Sequence, residues 1–136
     1  MTRRESRESA FQVVFSFSIN NIDLDEVIEL TYEFSDVELD DFAINIIRAT
    51  LGHIAEIDLM LQPHLKGWSI KRISKTSLAI IRISCAQIFY WDEIDKPLEG
   101  HERIVINEAV EISKKFGNDD DYLFVNGVLG SIVRNI

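Results

Sequence analysis

Apolar residues recur mostly at spacings of three and four along the chain, which is the period of an amphipathic α-helix rather than of a β-strand. The first predicted helix runs from about Arg3 to Ile19, and Asn20 and Asn21 end it. Its broad apolar face contains Ala10, Phe11, Val14, Phe15 and Phe17. Six glycines and two prolines leave few helix breakers, and no hairpin signal is present. The pattern predicts an all-α fold.

A second predicted helix begins at Asp23, where a capping box is expected. The Asp23 carboxylate would accept an N–H of the first turn while Glu26 reaches back. The helical pattern fades near Phe34 and Ser35.

The middle of the chain predicts one long helix and one buried helix. The long helix extends from Asp36 or Glu38 to about Leu61, and Pro63 stops it because proline has no N–H to donate. After the loop around Gly67, a short segment near 70–73 leads into a helix from about 75 to 91 that is apolar on most sides. This second helix is the predicted centre of the fold.

Two more helices follow the loop 92–100. One is expected from about Glu102 to Phe116, with Gly117 as a left-handed C-cap. The other is expected after the aspartates 119–121, which offer N-caps. Gly127 and Gly130 lie inside this last helix, and close helix packing is the predicted reason for both.

Charge is distributed unevenly along the 136 residues. The formal net charge is −9, from 14 Lys+Arg against 23 Asp+Glu. Nine acids and no bases fall in one stretch, at Asp23, Asp25, Glu26, Glu29, Glu33, Asp36, Glu38, Asp40 and Asp41. The remaining 14 acids balance the 14 bases. Bulk attraction to a polyanion is therefore disfavoured, and any nucleic-acid role must be local or shared with a partner.

Compartment is inferred from signals that are missing. The single cysteine, Cys85, cannot form an intramolecular disulfide, and no convincing signal peptide is found. The longest uncharged stretch, 9–22, is shorter than the roughly 18 residues that a membrane helix needs. We therefore expect a cytoplasmic protein with no membrane contact.

Candidate enzymatic groups are weak. His53, His64 and His101 are scattered, without the spacing of a metal site, and Cys85 lies in an apolar run typical of a core cysteine. No nucleophile–base pair or phosphate-binding loop is present. The sequence predicts no catalytic residue, no metal and no cofactor.

Local clusters of basic residues favour RNA binding over catalysis. Arg3, Arg4 and Arg7 are expected on one sector of the first helix, and Lys114 and Lys115 precede Phe116 at the end of another. No acid occurs between Asp58 and Asp92, and this stretch contains a third basic cluster: Lys66, Lys71, Arg72, Lys75 and Arg82. Positive charge beside aromatic rings is what single-stranded RNA requires.

Two long motifs lie near the end of the chain: the run 106–117 reads INEAVEISKKFG, and 124–129 reads FVNGVL. In this order and at this spacing, they resemble the motifs of the NusB family of transcription antitermination factors. The arginine-rich opening at 3–12 and the central segment 79–84 are also similar to the family. Gln87 stands where the family usually has Glu, and Glu5 and Ser6 where it often has Arg and Ala.

This resemblance implies about seven helices in two packed bundles, with residues 1–136 forming a single NusB-like, non-catalytic RNA-binding domain. Such proteins pair with the ribosomal protein NusE, and the pair binds boxA RNA. They recruit further Nus factors to RNA polymerase and suppress termination in rRNA operons. The RNA-binding residues that the resemblance implies are Arg3, Arg4, Arg7, Lys114, Lys115, Phe116, Asp120 and Phe124.

Other expectations and alternatives accompany this hypothesis. Asn107 and Asn126 are expected to be buried polar residues between the last two helices. One alternative is a domain like the amino-terminal part of some rRNA cytosine methyltransferases, although 136 residues cannot contain their cofactor-binding domain. Another is a homodimer formed through the apolar surface near Phe11, Phe15 and Phe17.

Overall fold

Seven α-helices make up the described part of the chain. The structure is a computed structural model that describes residues 1–20, 23–34 and 36–136. The helices are α1 (Arg3–Asn20), α2 (Leu24–Phe34), α3 (Asp41–Gly52), α4 (Ile54–Leu61), α5 (Lys75–Phe89), α6 (His101–Phe116) and α7 (Asp121–Arg134). No strand occurs within these ranges, so the all-α prediction is confirmed. Asn21 and Ser35, where the sequence predicts helix ends, lie outside the described residues.

Helix α5 is the centre of the fold, as its apolar composition predicts. Every residue from Ser77 to Ile88 is buried. The Ser74 hydroxyl oxygen caps the helix by accepting the Ser77 N–H at 3.1 Å. Helices α1, α2 and α3 pack together, α6 and α7 pack together, and α5 contacts both groups. The two predicted bundles therefore share one buried helix.

The predicted long helix is wrong, because two helices occupy its place. Helix α3 ends at Gly52, and α4 begins at Ile54 with His53 as the junction residue. The His53 ring stacks on Tyr90 with centroids 3.7 Å apart, and its Nε2 lies 2.9 Å from a Glu93 carboxylate oxygen. These contacts with residues far along the chain hold the junction in its non-helical conformation.

The start of α3 also differs from the prediction. Residues 36–40 precede the helix, and Asp40 is its N-cap. One Asp40 carboxylate oxygen accepts the Ala43 N–H at 2.9 Å, and the other accepts the Ser6 hydroxyl at 2.6 Å. The same side chain thus begins α3 and attaches it to α1. The Asp23 half of the predicted capping box of α2 is confirmed, because Asp23 accepts the Glu26 N–H at 3.0 Å.

Gly117 is not the left-handed C-cap that the sequence predicts. Its φ of −93° and ψ of −178° are extended. A Cβ at this position would lie 2.8 Å from both the Ser113 carbonyl oxygen and an Asp121 carboxylate oxygen. Glycine is favoured here because a Cβ would clash with the last turn of α6 and with the Asp121 side chain of α7. Asp121 accepts the Asn118 N–H at 2.9 Å, whereas Asp120, at the N-cap position, makes no side-chain capping bond.

The prediction of close packing at Gly127 is also wrong. A Cβ there would meet nothing within 4 Å. At Gly130 the contact would be with Arg134 of the same helix, at 3.3 Å. Gly127 instead lies on a surface groove, described below.

Most of the apolar face of α1 packs against the core. Phe11 is buried, with its ring centroid 5.1 Å from that of Phe116 and 6.0 Å from that of Phe15. Phe15 and Phe17 are partly buried against the core. Phe11 is therefore unavailable for the dimer contact considered from the sequence. Within the described ranges, no helix is long and apolar enough to cross a membrane.

Candidate nucleic-acid interface

The amino-terminal arginines are positioned by a capping box that the sequence reasoning missed. The Thr2 hydroxyl accepts the Glu5 N–H at 3.0 Å, and the Glu5 carboxylate accepts the Thr2 N–H at 2.8 Å. Hydrogen bonding from the Thr2 backbone N–H and side chain to the Glu5 carboxylate lowers the pKa of Glu5. The Thr-x-x-Glu spacing at 2–5 is the signal that identifies such a cap. As a result α1 begins at Arg3, with Arg3 and Arg4 on its first turn.

Each of these two arginines is exposed and paired with an acid from another part of the chain. Arg4 donates to both carboxylate oxygens of Glu108, at 2.8 and 3.1 Å. This pair raises the pKa of Arg4 and lowers that of Glu108. Arg3 donates to Asp95 at 3.0 Å, and its guanidinium carbon lies 3.9 Å from the centroid of the Phe42 ring. Forked guanidinium groups held in this way can also grip phosphate oxygens.

Arg7 does not lie on the exposed sector that its spacing predicts. The residue is only 5% exposed. Its Nε donates to the side-chain oxygen of Gln87 on α5 at 2.6 Å, and its guanidinium carbon lies 5.2 Å from the Phe42 ring centroid. Burial lowers the pKa of Arg7. The predicted exposed position of Arg7 is therefore wrong, because its guanidinium is buried between α1 and α5.

Of the lysine pair at the end of α6, Lys115 contacts α1 and Lys114 contacts α7. Lys115 donates to Glu8 at 2.9 Å, and its Nζ lies 5.4 Å from the centroid of the Phe116 ring. Lys114 lies 3.9 Å from Glu111 and 5.2 Å from the centroid of the Tyr122 ring. Together with Arg4–Glu108, the pair Glu8–Lys115 joins α1 to α6. The structure thus brings two groups that are about a hundred residues apart, the arginine end and the lysine pair, onto one surface.

Asp120 and Phe124 lie in the first part of α7, with Asp120 at the N-cap position. Asp120 is exposed at the start of α7, and Phe124 is partly buried. Phe124 lines an apolar groove with Trp68 and Leu123. Leu123 also lines a shallow cleft that contains Arg4 and Tyr122. Leu123 is the residue at which the cleft and the groove meet.

Asn107 and Asn126 are not the buried amides that the sequence predicts. Both are exposed, and both line the shallow cleft beside Arg4. They present hydrogen-bonding amides to solvent on the candidate surface. Tyr122, Trp68 and Leu123 are the other surface residues that sequence reasoning missed. Only Trp68 gave a signal, as an aromatic residue in a basic, glycine-containing loop.

The remaining chemical candidates are structural. Cys85 is buried, and burial raises the pKa of its thiol to about 12, so the thiolate is absent at neutral pH. Arg82 donates to both carboxylate oxygens of Asp58, at 2.9 and 2.8 Å. In the described parts of the chain, no three His, Cys, Asp or Glu residues are grouped to hold a metal ion. The arrangement presents cations, amides and aromatic rings to a ligand.

A family profile and two similar sequences agree on one family. The sequence profile of the NusB family matches residues 4–134. A transcription antitermination protein NusB of an Exiguobacterium strain is 35% identical over 98% of this chain and 98% of its own length. The corresponding protein of a Listeria monocytogenes strain is 35% identical over 97% of this chain and 96% of its own.

Solved structures share the fold. T. maritima NusB has a TM-score of 0.80 and 27% identity, covering 98% of this chain and 92% of that chain. A crystal structure of antitermination factors NusB and NusE in complex with dsRNA contains a chain with a TM-score of 0.82 and 23% identity, covering 98% of this chain and 97% of that chain. The chain belongs to the NusB family, whose members are non-catalytic transcription antitermination factors.

Proposed function

We propose that this protein pairs with the ribosomal protein NusE and that the pair binds boxA RNA. The bound pair recruits further Nus factors to RNA polymerase and suppresses termination in rRNA operons. Residues 1–136 act as one RNA-binding domain in this cytoplasmic process. Family membership supports the role in antitermination. A protein of this fold has been crystallised with NusE and dsRNA, which is the reason for choosing this partner.

The observation that carries the RNA-binding part is the joining of α1 and α6. The bridges Arg4–Glu108 and Lys115–Glu8 place guanidinium and ammonium groups from both ends of the chain on one surface. Arg3, Arg4, Lys114 and Lys115 bind phosphates there. Phe116 and Phe124 contact bases, and the exposed Asp120 carboxylate accepts a hydrogen bond from a base amino group. Arg7 acts indirectly, by holding α1 against α5.

The pairing of these cations with acids supports a shared RNA surface. The acid partners of Arg3, Arg4, Lys114 and Lys115 are Asp95, Glu108, Glu111 and Glu8. RNA must compete with these carboxylates for the cations, and the whole chain carries a net charge of −9. The surface therefore binds RNA weakly alone, and a basic partner supplies the missing positive charge.

Titration of labelled boxA RNA with Lys115→Ala tests the RNA surface. Loss of one phosphate contact weakens binding to all sequences and lowers the salt slope by about one. Arg48→Ala is the matched control, because Arg48 is an exposed base on α3 that lies outside this surface. Equal affinity and equal salt slope for Lys115→Ala, Arg48→Ala and the wild type would refute the proposed surface.

A further inference from the structure

A small apolar groove lies between α7 and the loop that follows α4. It has a volume of about 190 Å³, and its lining includes Lys66, Trp68, Leu123, Phe124 and Gly127. Trp68 is 56% exposed and Leu123 57% exposed, so two large apolar side chains face solvent at one place. Because Gly127 has no side chain and no neighbour within 4 Å of a Cβ position, the α7 wall of the groove is open.

The loop beside the groove carries four bases that no nearby acid in the described structure neutralises. Lys66, Lys71, Arg72 and Lys75 are all exposed. Among the described residues, none of the four has an acidic partner within 4.0 Å. The bases at the ends of α1 and α6, by contrast, each have one. A polyanion therefore meets cations without acidic partners in the described loop that contains Trp68.

The size and chemistry of the groove favour a single flat ring as its occupant. Pockets for drug-sized ligands and cofactors usually measure roughly 300–1,000 Å³, which exceeds the volume found here. An exposed indole beside cations is the arrangement that stacks an unpaired base while the phosphates contact lysines and arginines. An apolar peptide segment would gain nothing from the Lys66 ammonium group at the groove or from the exposed basic side chains that follow it in the loop.

The groove is continuous with the candidate RNA surface. Leu123 lines both the groove and the cleft that contains Arg4, Tyr122 and Asn126. Phe124, placed on the RNA surface from the sequence, forms part of the groove wall. The cleft and the groove therefore adjoin at Leu123, and a single strand bound in the cleft can reach the groove past this side chain.

We propose that this groove is a second RNA subsite, in which one unstacked base of the bound strand stacks on Trp68 while Lys66 and its basic neighbours bind the adjoining phosphates. The inference rests on the proposed function, since it extends the path of the same RNA. The subsite extends the proposed RNA surface to the loop that follows α4, which lies outside the family motifs. It also gives a role to the exposed bases of residues 66–75.

Tryptophan fluorescence reports on this subsite directly. The only other tryptophan, Trp91, is 8% exposed, and its indole N–H donates to the Lys96 carbonyl oxygen at 2.8 Å. The signal of Trp68 is the difference between the wild type and Trp68→Phe, each measured with NusE and increasing boxA RNA. We expect RNA to quench that difference signal, because the base stacks on the indole.

Affinity measurements separate stacking from simple apolar contact. Trp68→Leu should weaken boxA binding roughly tenfold, whereas Trp68→Phe keeps a ring and stays within about twofold of the wild type. Tyr32→Ala is the matched control, since Tyr32 is 58% exposed on α2 and lies outside the groove. Circular dichroism confirms that each variant is folded.

The outcomes distinguish this inference from the function on which it rests. If the wild type binds boxA RNA with NusE but Trp68 is not quenched and Trp68→Leu binds equally well, the subsite is wrong and the proposed function stands. If the wild type does not bind this RNA with or without NusE, both are wrong. If quenching of Trp68 follows protein concentration without RNA, a second copy of the chain occupies the groove and the subsite is again wrong.

Discussion

At the scale of single residues, burial divides the three amino-terminal arginines into two kinds. Arg3 and Arg4 are exposed and paired with acids. Arg7 is buried, with Gln87 as its hydrogen-bond acceptor. Helical spacing predicts that all three share a sector, but it does not show what packs over that sector. Gln87 lies 80 residues away in sequence, so only the tertiary fold shows the difference.

Arg7→Ala should therefore act mainly on stability. Removing the guanidinium leaves a buried Gln87 oxygen without its donor and creates a gap beside Phe42, at a cost of about 2 kcal/mol in the free energy of unfolding. Urea denaturation measures this loss, and the exposed Arg3→Ala should lose much less. Arg7→Ala should leave the salt slope of RNA binding unchanged, because Arg7 makes no phosphate contact. A slope lowered by about one would place Arg7 on the RNA instead.

At the scale of elements, periodicity predicts the helices well and their ends less well. The Asp23 cap and the buried helix α5 follow from local sequence. The break at His53 does not, because it depends on Tyr90 and Glu93, which lie far along the chain. The predicted roles of the glycines are the least accurate, because the contacts at Gly117 and the open space at Gly127 depend on the tertiary structure.

Alanine substitutions at the two glycines of the α6–α7 region should have opposite effects. Gly127→Ala adds a Cβ in open space within a helix, so the unfolded chain loses freedom and stability rises by about 1 kcal/mol. Gly117→Ala forces a Cβ to within 2.8 Å of the Ser113 carbonyl oxygen, and repacking should cost about 1–3 kcal/mol. Thermal unfolding of both variants checks the signs. A stabilising Gly117→Ala would contradict the tight packing of Gly117 against Ser113 and Asp121.

At the scale of the whole molecule, the charge distribution explains how an acidic protein can recognise RNA. The nine acids of residues 23–41 account for the entire net charge of −9. The candidate surface is built elsewhere, by α1, α6 and α7, with each cation of its α1–α6 part held by a carboxylate. The sequence proposes bases for this surface, but it does not show that acids neutralise them or that Arg7 is buried. That neutralisation strengthens the case for a basic partner.

The central claim is that this protein and NusE form one RNA-binding surface that neither completes alone. Fluorescence anisotropy of labelled boxA RNA, titrated with the protein and then with the equimolar pair at several salt concentrations, tests it most directly. The account predicts that the pair binds at least about tenfold more tightly than the protein alone and depends more steeply on salt, because NusE adds phosphate contacts. Equal affinity and equal salt dependence for the protein and for the pair would contradict it.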